Sequence, residues 1–290
     1  MNPRYAQIKE RAHALLLKRG LFGHVAANRF CQDFMHYLVA KDAFGIGNAE
    51  VTLSLLENDA NLTDGNILNT NFRTTFNKLI SPALSSDPLF MELFPTLLNS
   101  KGKGVGIGEL VLPLIISNYR FSNVSDGMLL GNLKVEVKSN GASLKPIKTG
   151  LTEKGIVDKL NSQYFKGNAP GCIEAKKFAN HLATVNDPAV YADYFSQLYP
   201  GCDLTELLKE VTASYRSAKD FNAAVGKFAL KQYQRTDGWH CIMYVDGDTF
   251  EVVNIADTDN TASLGMKYTP KFKRGKDTQA ICDGYVNASF

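Results

Sequence analysis

The stretch SNVSDGMLLGNLKVEVKSNGASL, residues 122–144, decides the fold. LKVEVKS alternates apolar and polar residues with a period of two, and Gly131-Asn132 is a dipeptide suited to a tight turn. The stretch therefore predicts a strand, a turn and a second strand. Side chains alternate across a strand, so Val135 and Val137 point to a core while Glu136 and Lys138 share the other face. Asp126 falls on the partner strand, ahead of the turn.

Working outward, KGKGVGIGE (101–109) carries four glycines and leads into the apolar run LVLPLII. No G-K-[ST] follows, so these glycines do not read as a phosphate-cradling loop. They let the chain enter a helix carrying Glu109 close to its neighbours. Pro113 deprives the Glu109 carbonyl of its helical partner, which predicts a kink. Downstream, helical periodicity runs from about residue 173 to 230. GWHCIMYVDGDTFEVVNI (238–255) then reads as a second hairpin turning at Asp246-Gly247. Near the start, Ile8, Ala12, Leu15 and Leu16 recur at helical spacing until Gly20, and Phe30, Phe34, Tyr37 and Leu38 mark a helix from about Asn28 to Lys41.

These elements predict an α/β protein, a mixed β-sheet flanked by helices. The expected organisation is a mainly helical region over 1–100, a core over 101–255 with a helical insertion at about 150–235, and a basic tail over 256–290.

The 290 residues are 44% apolar and 21% charged, which excludes wholesale disorder and a coiled coil. The 32 basic and 29 acidic residues leave a formal charge of only +3, so any polyanion-binding surface must be local. Residues 41–100 are net acidic, whereas 101–148 hold seven basic residues and only three acids: Glu109, Asp126 and Glu136. MKYTPKFKRGK (266–276) adds five basic residues. The five cysteines form no C-x-x-C pair, which argues against a zinc ribbon and for a reduced, cytoplasmic setting. The charged N-terminus has no leader-like apolar core. The apolar run Leu110–Ile116 is far short of the roughly 20 residues a membrane span needs. No membrane association is expected.

Two carboxylates converging from adjacent strands make a hard, oxygen-rich site suited to Mg²⁺, because a divalent cation relieves their repulsion. A lysine beside them can orient a nucleophilic water and stabilise charge on a scissile phosphate. This D-x9-E-V-K arrangement resembles the PD-(D/E)XK nuclease superfamily, the restriction-endonuclease-like fold. The resemblance covers about residues 101–145, and Ser125 stands where the family often has proline. It implies Mg²⁺-dependent cleavage of DNA, with Mn²⁺ a substitute. It also implies Asp126 and Glu136 as metal ligands, the Val137 carbonyl as a third, Lys138 as the residue that positions the water and Glu109 as an outer or second-metal acid. Lys101, Lys103, Lys145, Lys148, Lys271, Lys273, Arg274 and Lys276 would hold the DNA backbone.

The chain carries its own control. Glu174-Ala-Lys176 is also E-x-K, but its surroundings have helical periodicity, which sends positions two apart to different sides. His240-Cys241 does not read as a nucleophile–base pair, since adjacent strand residues face opposite ways. His13, His24, His36 and His181 show no metal-ligand spacing. Two other classes stay open: a DNA-binding or structural protein of phage or mobile-element type that cuts poorly, and a protein-interaction module, such as a nuclease inhibitor, using residues 1–100. A homodimer is compatible with the sequence but not demanded by it.

Overall fold

The computed structural model describes residues 3–100, 106–122, 127–129, 133–139, 163, 187–214, 217–246, 249–254, 270–274 and 280–286. The chain divides into two compact units, Met1–Ser139 with Gly238–Ile255, and Asn140–Asp237 with Ala256–Phe290.

The first unit opens with helix α1 (Pro3–Lys18), which buries Ile8, Ala12, Leu15 and Leu16 on one stripe. Gly20 ends it in the left-handed region (φ 75°). The Leu21 N–H reaches back to the Leu16 carbonyl at 2.9 Å and the Gly20 N–H to Leu17 at 3.0 Å, the paired bonds of a Schellman stop. A side chain at Gly20 would also strike the Phe121 carbonyl, so only glycine fits. Helix α2 (Asn28–Ala43) buries Phe30, Cys31, Phe34 and Leu38, as the spacing predicts. Helix α3 (Ala49–Glu57) starts on the Asn48 side chain, which accepts from the Glu50 and Val51 N–H groups. Two short helices, α4 (Phe76–Leu79) and α5 (Pro82–Ser85), precede α6 (Pro88–Leu98), which is capped by Asp87 and has proline at its first position. Helix α7 (Ile107–Ile115) continues through Pro113.

One mixed sheet of six strands runs through this unit. Its members are β1 (Phe72–Thr75), β2 (Tyr119–Phe121), β3 (Gly127–Leu129), β4 (Leu133–Ser139), β5 (Cys241–Asp246) and β6 (Thr249–Asn254), in the order β1-β6-β5-β4-β3-β2. Both expected hairpins form: β3 pairs antiparallel with β4, and β5 with β6. The two hairpins join through a parallel pairing of β4 with β5, Glu136 opposite Ile242 and Lys138 opposite Tyr244. Strand β1, within the mainly helical first hundred residues, closes the sheet on β6 with Phe72 opposite Val252. Val135, Val137, Cys241, Met243, Val245, Phe250 and Val252 from one face of the sheet join the side chains of α1–α7 in a single apolar core.

In the second unit, helices α8 (Pro188–Leu198), α9 (Thr205–Ala213) and α10 (Ala218–Asp237) fall within the expected helical insertion. Tyr191 and Phe195 pack against Phe221, and Tyr199 packs edge-on to Phe228. Lys227 bonds Glu210 at 3.1 Å across α9 and α10. The C-terminal segment is more than a basic tail: β7 (Pro270–Arg274) and β8 (Ala280–Val286) form a two-stranded antiparallel sheet. Its pairing register shifts between Lys271 and Phe272, and the run is too short and too basic to read as a strand from the sequence. Among the described residues, no helix is long and apolar enough to cross a membrane.

Candidate functional site

Strand β4 carries the centre of the expected site. Val135 and Val137 enter the apolar core, so their neighbours Glu136 and Lys138 occupy the opposite face. There the Lys138 ammonium meets the Glu136 carboxylate (Nζ to Oε1). The two side chains are only 19% and 10% exposed. Little water competes for these charges, so the pairing is stronger than a surface ion pair.

Strand β3 lies beside them, with Gly127 opposite Val135. Asp126, the residue before Gly127, lies outside the described residues, as do Lys101, Lys103, Lys145, Lys148 and Lys276. The Glu174–Lys176 control lies outside them too. Lys271, Lys273 and Arg274 fall on β7, in the second unit.

Glu109 is in the first turn of α7, largely buried, and its Oε1 accepts the Gly106 N–H at 2.8 Å. The carboxylate thus closes the start of the helix and complements its dipole. Gly108 beside it packs on Val137 and Val245: an added Cβ would come within 3.1 and 2.9 Å of their methyl groups. Helix α7 therefore lies on the sheet face opposite Glu136 and Lys138. The structure brings Glu136 and Lys138 together and gives Glu109 a bond of its own on the far side. The Val137 side chain lies under α7, and its backbone is in register with Met243.

The face bearing Glu136 and Lys138 holds further groups that motif spacing does not reveal. Tyr244 is directly across from Lys138 on β5, Glu251 is across from Tyr244 on β6, and Arg73 is across from Glu251 on β1. The row runs from exposed Arg73 through half-buried Glu251 to fully buried Tyr244. Burial pushes the Tyr244 phenol far above its ordinary range, and the carboxylates of Glu251 and Glu136 add to the shift. Burial likewise raises the Glu251 carboxyl, against the opposing pull of Arg73. The Asp246-Gly247 turn signal pairs Tyr244 with Glu251; nothing local signals the parallel pairing that adds Lys138.

His240 is turned to Asn69, its Nε2 2.9 Å from Oδ1, while Asn254 bonds the Asn69 carbonyl and the Asn71 side chain. Cys241 is buried on the core face, with its thiol pushed up to about 12 by desolvation. These residues tie the loop before β1 to one end of the sheet. Among the described residues, no three His, Cys, Asp or Glu side chains gather closely enough to hold a metal ion. No family model, curated protein or solved structure matches the chain.

Proposed function

We propose that this chain is a Mg²⁺-dependent deoxyribonuclease of the PD-(D/E)XK type, cutting DNA phosphodiester bonds endonucleolytically. The observation that carries the reading is the buried Glu136–Lys138 pair on one face of β4, with β3 alongside. An acid and an amine fixed together in a low-dielectric setting are what activation of a water beside a phosphate requires.

The donors are oxygens of the kind a hard divalent cation takes: Glu136, the Val137 carbonyl and, from the sequence, Asp126. Mg²⁺, or Mn²⁺ in its stead, would supply Lewis-acid stabilisation of charge on the phosphate. Lys138 holds Glu136 in position and, once that carboxylate is shared with a cation, its ammonium is available to orient water. Glu109, expected as an outer acid, is on the helix packed against the opposite face of the sheet, and in this reading it only closes the start of α7. The lysines and arginine at 101, 103, 145, 148, 271, 273, 274 and 276 hold the DNA backbone. The free thiols of Cys31, Cys202 and Cys241 agree with a cytoplasmic setting.

The test is incubation of the purified protein with Mg²⁺ and plasmid or linear DNA. Asp126→Ala and Lys138→Ala should each lower the cleavage rate by about 10²-fold or more. Cleavage that survives either change sinks the assignment. A second reading is a DNA-binding protein that does not cut, favoured by the neutralisation of Glu136 by Lys138 and by the lack of a three-ligand cluster among the described residues. Titration with Mn²⁺ separates the two, because this second reading requires no binding at the acids. A partner protein on residues 1–100 is tested by pull-down with the full chain, and a homodimer by its mass in solution.

A further inference from the structure

Tyr244 is among the largest fully buried side chains of the protein, yet it sits in a row of charges rather than in the apolar core cluster. Its neighbours in register are Lys138 on β4 and Glu251 on β6, and all three share one face. Cross-strand neighbours on one face approach closely enough for side chains to pack along each other. A lysine has four rotatable bonds and loses much rotamer freedom when fixed. Something must confine it if its ammonium is to stay on Glu136, two residues back along the same strand. A flat, rigid ring directly beside the Lys138 stem does this at little entropic cost of its own. Burial raises the Tyr244 phenol first and Glu251 and Glu136 add to it, as expected of a ring enclosed on this face near both carboxylates.

We propose that Tyr244 is a positioning residue whose ring confines the Lys138 side chain and so holds its ammonium on Glu136. The ring does this work, so Tyr244→Phe, which keeps the ring, should preserve it. On the outer side, Glu251 and Arg73 continue the row, and Arg73 partly offsets the burial of the Glu251 carboxyl. The structural part of the proposal stands on register and burial. Its catalytic meaning rests on the nuclease reading above.

The experiment reads the Lys138 ammonium directly, by ¹H–¹⁵N NMR of lysine NH₃⁺ groups in the full chain. Such groups give sharp signals only when an ion pair shields them from exchange with water. Lys138→Ala assigns the signal and Glu136→Gln confirms its partner. The expected result is a Lys138 signal in the parent protein and in Tyr244→Phe, and its loss in Tyr244→Val, which keeps strand propensity but removes the ring. Should Tyr244→Val not fold, judged by circular dichroism, Tyr244→Leu is read the same way. A signal that persists without the ring, or is lost in Tyr244→Phe, overturns the proposal. Cleavage assays on the same variants report separately: Tyr244→Val should lower kcat at least tenfold with KM for DNA unchanged. A parent protein that cleaves nothing ends the nuclease reading, while the NMR result still decides the role of Tyr244.

Discussion

The Tyr119 ring lies directly over Gly127. Any Cβ at Gly127 would overlap the Tyr119 hydroxyl and ring edge. Tyr119 itself is fully buried on β2, and Gly127 opens β3, the strand that sits beside Glu136 and Lys138. The aromatic ring covers the bare backbone of a strand glycine, which otherwise has no side chain to pack. Gly127→Ala should therefore destabilise by about 1–3 kcal/mol through overpacking. In a double-mutant cycle, Tyr119→Leu in the same chain should recover part of that loss, because the two sites share one volume. Thermal and urea unfolding of the four proteins measures both numbers; strict additivity would contradict the contact.

Arg19 is 2% exposed, and its guanidinium bonds the Asp59 carboxylate at 2.6 Å and the Leu56 carbonyl at 2.9 Å. It joins the end of α1 to the end of α3 from inside the protein. Asp59 is 35% exposed and keeps Lys18 at 3.5 Å, so Arg19→Ala costs chiefly the buried bond to the Leu56 carbonyl and the packing of the stem, about 1–3 kcal/mol. Both bonds leave from the one Nη2 atom, so Arg19→Lys, whose ammonium can serve two acceptors from one nitrogen, should recover part of the loss. Urea denaturation at neutral pH gives the comparison.

Glu251 sets a pH dependence whose sign follows from its burial. Its folded pKa is raised above the ordinary 4.5, so in the window above that value the folded chain holds a proton the unfolded chain has released. Stability from this group is therefore lost as pH rises from about 4.5 through the raised value. Glu251→Gln should leave the melting temperature nearly unchanged below the window and raise it above. A melting-temperature difference between the two proteins that is flat from pH 4 to 8 would refute this.

Cys241 and Cys31 are buried, with thiols pushed up to about 12 and about 11 by desolvation. The thiolate is the reactive form, so both should resist an aromatic disulfide reagent in native protein at pH 8 and react once the chain unfolds. Chains retaining one cysteine each, followed by absorbance with and without urea, test this. Rapid native labelling of Cys241 would mean that the sheet face it occupies opens readily.

Much of the sheet is legible in the sequence where its signals are local. Alternation and a turn dipeptide predict the β3–β4 and β5–β6 hairpins, and the position of Val135 and Val137 in the core follows from the same alternation. Strand β1 is not legible. Phe72–Thr75 is four residues long, lies among helices, and finds its partner 180 positions away, with Phe72 on Val252. No periodicity can develop over so short a run, and no local signal encodes so distant a pairing. The site divides the same way. Glu136 and Lys138 share a face because they are two apart on a strand. Tyr244, Glu251 and Arg73 join them only through the parallel register of β4 on β5, which tertiary packing decides.

That parallel register has a consequence for the chain as it is made. Residues 140–237, the first part of the second unit, lie between the two central strands. At roughly 5–20 residues per second, β4 leaves the ribosome about 5–20 s before its partner β5 exists. For that interval the middle of the sheet is an open edge, the kind of edge on which chains aggregate. Lys134, Glu136 and Lys138 sit along it, and charged side chains on an unpaired strand discourage pairing with strangers. The residues proposed to serve chemistry in the finished protein thus also guard its unfinished one. Replacing Glu136 and Lys138 together by apolar residues should lower the soluble yield from synthesis more than it lowers the stability of the molecules that complete the fold.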